Sequence, residues 1–385
     1  MTTADVRRFR HGLVIGKFYP PHTGHHAAIR AAAARCERLS IVVMASLAET
    51  VPLADRVAWL REEHRADRGV EVMGVRCDAP LDVGDPRIWE AQTAVMRAAL
   101  AVHFPDAAAV DLVASNDDYG EELARRFDAT WMRTDRIAGG PSGTAVRRDL
   151  ARHWDDLAAP VRAGLVTRVV AVGAESSGTT TVSRALAERF RARGGVWDRT
   201  AWVEEYGREY TLVKWSAACR AAEAVGEAPP ELDDLVWDTH DFDVVAREQT
   251  RREEQAARSG GPLLVCDTDA FATSVWERRY LGAAARGPQP WAAAPHLPER
   301  HVYLLTDHRD VPWHDDGLRE GDLEIRAAMT GWFADALTRA GHSWVLLTGP
   351  LEERLALAER TVDQLLAHRR RFGEPLHGPG FEATP

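Results

Sequence analysis

Gly12-Leu13-Val14-Ile15-Gly16-Lys17-Phe18-Tyr19-Pro20-Pro21-His22-Thr23-Gly24-His25 is the stretch that decides the fold. Its first five residues fit a short buried strand. A proline-bearing turn follows, and Thr23-Gly24 opens an alanine-rich helix reaching from Ile29 to Leu39. Open parallel sheets bind ligands where such a strand gives way to a helix, outside the carboxyl ends of the strands. Free N–H groups and the dipole at the helix start attract phosphate there. Gly24 allows close backbone approach, Lys17 brings a fixed positive charge, and His22 and His25, three apart, can both face one phosphate as donors. A lone histidine is usually a satisfied structural one. This combination at a helix start points instead to a phosphate site.

Outward from that stretch, short apolar runs alternate with amphipathic ones, the pattern of a parallel α/β fold. Strands are expected at Ile41 to Ser46, Val70 to Val75 and Val110 to Ser115, with helices at Leu53 to His64, Ile88 to Val102 and Tyr119 to Phe127. These make one doubly wound, Rossmann-like domain over residues 1–155. Asp155 to Pro160 reads as a connector, and the pattern restarts with a strand at Thr167 to Gly173. Further strands are expected at Leu263 to Cys266, His301 to Thr306 and Trp344 to Leu347. Helices are expected at Thr180 to Arg193, Leu235 to Arg258, Leu323 to Ala340 and Leu351 to Arg371. The fold class is therefore α/β, with two doubly wound parallel-sheet domains, the second over residues 165–373. Residues 282–298, rich in Gly, Ala and Pro, read as a mobile loop, and residues 374–385 as a flexible tail.

Composition bounds the rest. The 385 residues suit two domains, and 45% hydrophobic with 28% charged content is that of a globular chain. A net charge of −10 gives no bulk attraction to nucleic acid or to an anionic membrane. No apolar run approaches the ~20 residues of a membrane span. The first ten residues lack a signal-peptide core, so a cytoplasmic protein is expected. Cys36, Cys77, Cys219 and Cys266 are scattered without a zinc or disulfide spacing. Lysine occurs only at Lys17 and Lys214 among 48 basic residues, which marks both for attention.

A second phosphate-binding loop follows the strand at Thr167. Gly173-Ala174-Glu175-Ser176-Ser177-Gly178-Thr179-Thr180 stands between strand and helix, as a P-loop requires. Its glycines and N–H groups can cradle phosphates, and Thr180 can ligate Mg²⁺. Position 179, lysine in a P-loop, is threonine here. The point charge that normally reaches the β- and γ-phosphates is missing.

The first stretch resembles the HxGH signature of nucleotidyltransferases, in the G-x-F-x-P-x-H-x-G-H form of nicotinamide-nucleotide adenylyltransferases. Pro141-Ser142-Gly143-Thr144-Ala145-Val146-Arg147 resembles the I-S-[SG]-T-x-[IV]-R motif of that family, with Pro141 in place of isoleucine. Asn116-Asp117-Asp118-Tyr119-Gly120-Glu121 resembles its (S/N)-x-D-Y-G-E segment. The second half resembles the ribosylnicotinamide kinase of NadR-type bifunctional proteins. Glu205-Tyr206-Gly207-Arg208-Glu209 is similar to E-Y-G-R-E, Asp267-Thr268-Asp269 to D-T-D, and Trp313-His314-Asp315-Asp316-Gly317-Leu318-Arg319 to W-x-D-D-G-x-R. The likeness runs from about residue 10 to 371. With the first motif beginning at Gly16, no N-terminal helix-turn-helix is expected, nor a nucleic-acid or membrane partner.

The resemblance implies an enzyme of NAD salvage, with ATP as co-substrate and Mg²⁺. The phosphate of nicotinamide mononucleotide would attack the α-phosphorus of ATP in line, giving NAD and pyrophosphate. His22 and His25 would contact the transferring phosphate, with Gly16, Phe18, Gly24 and Ser142 shaping the ATP site. Lys17, Thr144 and Arg147 would hold the β- and γ-phosphates. Asn116 and Tyr119 would meet the nicotinamide substrate. Trp89 has two open readings, a ring stacked on the pyridinium or a core tryptophan. The kinase would phosphorylate nicotinamide riboside, using Gly173, Ser176, Ser177, Gly178, Thr179 and Thr180 for ATP. Asp267 or Asp269 would order the metal and the hydroxyl, and Tyr206, Arg208, Asp316 and Arg319 would bind substrate. Lys214 is expected to reach the phosphates in place of the P-loop lysine, the bland alternative being a surface lysine. Two other functions stay open: an adenylyltransferase whose P-loop domain only binds nucleotide as a regulatory module, and transfer to a different phosphate such as a pantetheine phosphate. A homo-oligomer is compatible with the sequence.

Overall fold

The computed structural model describes residues 9–80, 82–104, 109–135, 140–286, 299–309, 311–312 and 323–374. The chain divides into two compact units, residues 1–164 with 369–385, and residues 165–368.

The first unit alternates strands β1 (Phe9–Gly16), β2 (Cys36–Ala45), β3 (Val70–Arg76), β4 (Leu112–Ser115) and β5 (Thr130–Arg133) with helices. These are α1 (Thr23–Ala33), α2 (Leu53–Glu63), α3 (Pro86–His103), α4 (Tyr119–Phe127), α5 (Gly143–Arg148) and α6 (Ala159–Leu165). The sheet order is β3-β2-β1-β4-β5 and every pairing is parallel. Helices cover both faces, as a parallel sheet requires. Ile29 of α1 and Leu60 of α2 pack with Val14 and Ile41 on one face. Met96 of α3 and Leu123 of α4 pack with Leu13 and Val42 on the other.

The second unit carries β6 (Thr167–Gly173), α7 (Thr179–Arg191), β7 (Ala201–Val203), α8 (Tyr206–Val225) and α9 (Thr239–Ser259). Then come β8 (Leu263–Asp267), α10 (Ala270–Leu281), β9 (Val302–Thr306), α11 (Leu323–Arg339), β10 (Trp344–Leu347) and α12 (Leu351–Arg369). Its parallel sheet has the order β10-β9-β6-β8-β7, with β6 buried along its whole length. The expected fold class, two doubly wound parallel-sheet units, is what the chain adopts.

Three local expectations change. The helix expected over Ile29 to Leu39 stops at Ala33, because Cys36 onward pairs with β1 from Phe9; tertiary pairing overrides the helical propensity of alanine. Asp155 to Pro160 is no loose connector, since Trp154 and Val161 on either side are fully buried, a 3₁₀ turn covers Trp154–Asp156 and α6 begins at Ala159. Residues 369–374, expected with the second domain, belong to the first unit. Of the loop expected over 282–298 only residues 282–286 are described, Gly282–Ala284 as a 3₁₀ turn, and of the tail expected over 374–385 only Glu374 is described.

Candidate active sites

In the first unit, β1 leads back to β2 on one side of the sheet while β4 lies on its other side. Their carboxyl ends therefore border the crevice where open α/β sheets bind ligands. Gly16 to His25 leave β1 there, and Asn116 to Tyr119 leave β4 at the same edge.

His22 is the N-cap of α1, and with His25 it forms a reciprocal capping box. His22 Nδ1 accepts from the Gly24 amide at 3.2 Å, and His25 Nδ1 accepts from the His22 amide at 3.3 Å. Both rings thus use Nδ1 as an acceptor, which puts the proton of each neutral imidazole on Nε2. Burial holds His22 down at about 4, and burial with the His22 charge holds His25 well below the ordinary range. At neutral pH the two rings, 3.8 Å apart, present paired neutral Nε2–H donors. Phe18, buried with φ of 46°, sets its ring edge-on 5.0 Å from His25. A non-glycine residue in the left-handed region costs on the order of 1 kcal/mol and marks a built site.

The second motif meets the first. Ser142 caps α5 by accepting from the Ala145 amide at 3.1 Å. A β-carbon on Gly143 would stand 3.9 Å from His22 Nε2 and 3.4 Å from Arg147 Nη1. Arg147 donates to the Tyr19 carbonyl at 3.1 Å and to Thr144 Oγ1 at 3.2 Å. Lys17 pairs with Glu49 at 2.6 Å, and the fully buried Arg56 bonds the other Glu49 oxygen as well as the Lys17 carbonyl. Glu49 and Arg56 carried no motif signal; only folding reveals that they hold Lys17.

Trp89 lies in the α3–α4 core, 6% exposed. Its Nε1 donates to the Val83 carbonyl at 3.0 Å, and Arg126 covers the ring at 5.5 Å. This is the core-tryptophan reading. Tyr119 packs on the same cluster, and burial pushes its phenol up.

In the second unit the P-loop leaves the central strand β6 between β8 and β9. Gly178 takes φ of 91° at the start of α7, and Ser176 is also left-handed at 51°. A β-carbon on Gly173 would fall 2.2 Å from Thr306 Oγ1, so only glycine lets β9 approach. Ser177 Oγ bonds Thr306 Oγ1 at 2.7 Å, which ties the loop to that strand. Two buried arginines hold the loop from behind. Arg326 of α11 donates to the carbonyls of Glu175 at 3.1 Å and Ser176 at 2.8 Å. Arg354 of α12 donates to Ser177 at 3.1 Å.

The two aspartate candidates separate. Asp269 caps α10 through the Ala272 amide at 2.8 Å and accepts from the Tyr303 hydroxyl at 2.8 Å and Arg300 Nε at 3.1 Å. It is 1% exposed, and these partners, a helix amide, a buried tyrosine and a buried arginine, give it a structural role. Asp267 ends β8 opposite Ala171, two residues before Gly173. Asp267 and Thr180 offer a carboxylate and a hydroxyl, the oxygen donors a hard cation takes. Among the described residues no three His, Cys, Asp or Glu side chains cluster as a metal site. A Mg²⁺ held by one or two protein oxygens and nucleotide phosphates needs no such cluster.

Beside the P-loop a cavity is lined by Glu175, Glu205, Arg208, Trp237, Trp276 and Tyr280, among others. Trp237 and Tyr280 stand 5.3 Å apart with planes 33° from parallel. Tyr206 opens α8 with its amide on Gln249 Oε1 at 2.9 Å and Arg252 over its ring. Lys214 is not held at the P-loop: its ammonium bonds Asp241 Oδ2 at 2.6 Å and lies 5.3 Å over the Trp237 ring. Asp316 and Arg319 lie outside the described residues.

A family profile described as an AAA domain matches residues 168–354. Curated relatives from Salmonella typhimurium and Escherichia coli, each described as a trifunctional NAD biosynthesis/regulator protein NadR, are 23% identical over 322 residues. The match covers 80% of this chain and 71% of each relative. A solved NadR protein in complex with NR is 21% identical with a TM-score of 0.60, covering 98% of this chain and 100% of that one. A NadR protein with NAD and AMP-PNP is 20% identical at 0.62, covering 94% and 98%. The NadR-type resemblance read from the motifs is borne out by these relatives, and no helix of the described residues is long and apolar enough to cross a membrane.

Proposed function

We propose that the chain makes NAD in two ATP-dependent steps, one in each unit. The carrying observation is the convergence of the capped His22–His25 pair with the α5 start and Arg147 at the β1–β4 crevice. In the first unit the phosphate of nicotinamide mononucleotide attacks the α-phosphorus of ATP, and pyrophosphate leaves. No group of the protein bonds covalently to phosphorus, so catalysis is positioning plus charge stabilisation. The Nε2–H groups of His22 and His25 donate to the oxygens of the transferring phosphate. Lys17 and Arg147 offset the charge growing on the leaving pyrophosphate. Mg²⁺, when bound, adds further charge on the phosphate oxygens.

In the second unit nicotinamide riboside receives a phosphoryl group on its 5′-hydroxyl. Trp237 and Tyr280 suit a flat cationic ring, and the carboxylates of Glu175 and Glu205 suit ribose hydroxyls. Asp267, at the strand end beside the P-loop, accepts the hydroxyl proton or holds the metal. The loop's missing lysine leaves phosphate charge to other cations, and Lys214 acts on the riboside side by bracing Trp237. Lys214→Ala is expected to raise the KM for riboside roughly three- to tenfold, the worth of a partly desolvated cation–π contact, with adenylyl transfer unchanged. A fall in kcat at saturating riboside with KM unmoved would return Lys214 to the phosphates.

The deciding experiment supplies purified protein with ATP and Mg²⁺, adds mononucleotide or riboside separately, and follows products by chromatography. NAD from the mononucleotide and mononucleotide from the riboside are the expected products. NAD without riboside phosphorylation would make the second unit a regulatory nucleotide-binding module, the reading that Thr179 favours.

A further inference from the structure

Tyr19 is the hub of the first site. Its ring is 1% exposed and carries two guanidinium groups, Arg56 at 4.4 Å and Arg147 at 5.4 Å from the centroid. Its carbonyl accepts from Arg147. Its hydroxyl bonds Thr50 Oγ1 at 2.8 Å and accepts from the Thr50 amide at 2.9 Å, next to the Glu49 that pairs with Lys17. The orientation of this one ring thus bears on both cations assigned to the ATP phosphates.

The ring has one further neighbour, from the other end of the chain. Phe372 meets Tyr19 edge to face, with centroids 5.4 Å apart and planes at 85°. The next residue, Gly373, donates its amide to Thr50 Oγ1 at 3.3 Å. Its backbone lies so close that a β-carbon there would fall 2.1 Å from the Ala48 carbonyl oxygen. Two consecutive residues therefore touch the same hub, a ring on the Tyr19 ring and an amide on its hydroxyl's partner, and the charge of the third, Glu374, acts on Arg147. Burial lowers the Arg147 pKa, and the nearby Glu374 carboxylate is the largest influence opposing that shift.

We propose that residues 372–374 are a positioning strap for the adenylyl-transfer site, holding Tyr19, and through it Arg147 and the Glu49–Lys17 pair, in the arrangement that binds ATP. Phe372 touches no reacting atom; it acts through Tyr19. This inference rests on the first unit's being the adenylyltransferase. The strap is held by one ring pair, one hydrogen bond and one charge interaction, and Phe372 and Gly373 are only half-buried. Its removal therefore weakens a site without dismantling a core.

The test is steady-state NAD synthesis by full-length variants. Phe372→Ala is expected to raise the KM for ATP roughly three- to tenfold, the range of an aromatic pair, with kcat within about twofold. Phe372→Tyr, which keeps the ring, should restore the wild-type KM. Gly373→Val should reproduce the Phe372→Ala effect with the ring intact, because its side chain wedges the strap off Ala48. Riboside phosphorylation stays unchanged in all three. A well-folded Phe372→Ala with wild-type KM for ATP overturns the proposal, as does an equal fall in kcat for alanine and tyrosine alike. If the alanine variant does not fold, Phe372→Leu decides by the same two criteria. Hydrogen exchange at the Thr50 amide reads the strap without any reaction: faster exchange in Gly373→Val shows the strap was seated, and no change overturns it. Wild-type protein that makes no NAD refutes the assigned chemistry, and leaves that exchange result standing by itself.

Discussion

His25→Ala is expected to lower NAD formation by about 10²–10³-fold while the protein stays folded. One preorganised donor to a developing phosphate charge is worth that much in a water-poor site. His25 presents its Nε2–H because its other nitrogen is already spent on the His22 amide, which fixes both tautomer and ring direction. The same bond predicts a secondary effect: without His25 the first turn of α1 loses one side of its capping box, a cost of about 1 kcal/mol. The two effects separate in one experiment. Thermal unfolding reports the cap, and turnover under saturating ATP and mononucleotide reports the donor. A rate within about threefold of wild type, only ~0.6 kcal/mol on the barrier scale, removes His25 from the chemistry.

Exchanging the two second-unit aspartates should give opposite phenotypes. Asp267→Asn is expected to cut riboside phosphorylation by about 10²–10³-fold at unchanged stability, because it removes the carboxylate at the β8 end beside the P-loop. Asp269→Ala is expected to destabilise the second unit by about 3–5 kcal/mol, because it strips a charge from the buried group of Arg300, Glu253 and Tyr303 and uncaps α10. Burial raises Glu253 to about 7 against the pull of Arg300, and the Asp269 charge adds to that rise. In the variant Glu253 therefore remains to pair with Arg300, and the cost falls on the lost Asp269 bonds to Tyr303, Arg300 and the α10 cap. Denaturant melts and riboside kinetics on both variants check the pair. An Asp269 variant that is stable but inactive would reverse the assignment.

How much of this was legible in the sequence follows from where the signal lies. HxGH, the P-loop, the strands β6 and β9 and the second half of β2 are contiguous and strongly patterned, so they read directly. Helix α8 did not, because none of its residues is fully buried and it shows no apolar stripe. The roles of Asp267 and Asp269 could not be separated before the fold put Tyr303 and Arg300 against one of them. Lys214 drew attention as a rare residue, yet rarity says nothing about direction, and its helix points it at Asp241. Arg326 and Arg354 were invisible for the opposite reason: in a chain whose basic residues are nearly all arginine, two more carry no mark.

The discontinuity of the first unit sets an order of events during synthesis. Residues 1–164 leave the ribosome before any of residues 165–368, and the strap comes after both. At ~5–20 residues per second the delay is about 10–40 s. Throughout that interval the nascent chain carries both motifs of the proposed adenylyl site but no Phe372 to set Tyr19. A growing polypeptide should therefore hold ATP more weakly at this site until residues 372–374 have been made. Released chains ending before residue 372 or after residue 374, compared for nucleotide affinity at the first site, would show a step across those residues. Residues 372–374 then work as a completion device for the proposed site, tightening it only in molecules whose synthesis has passed them.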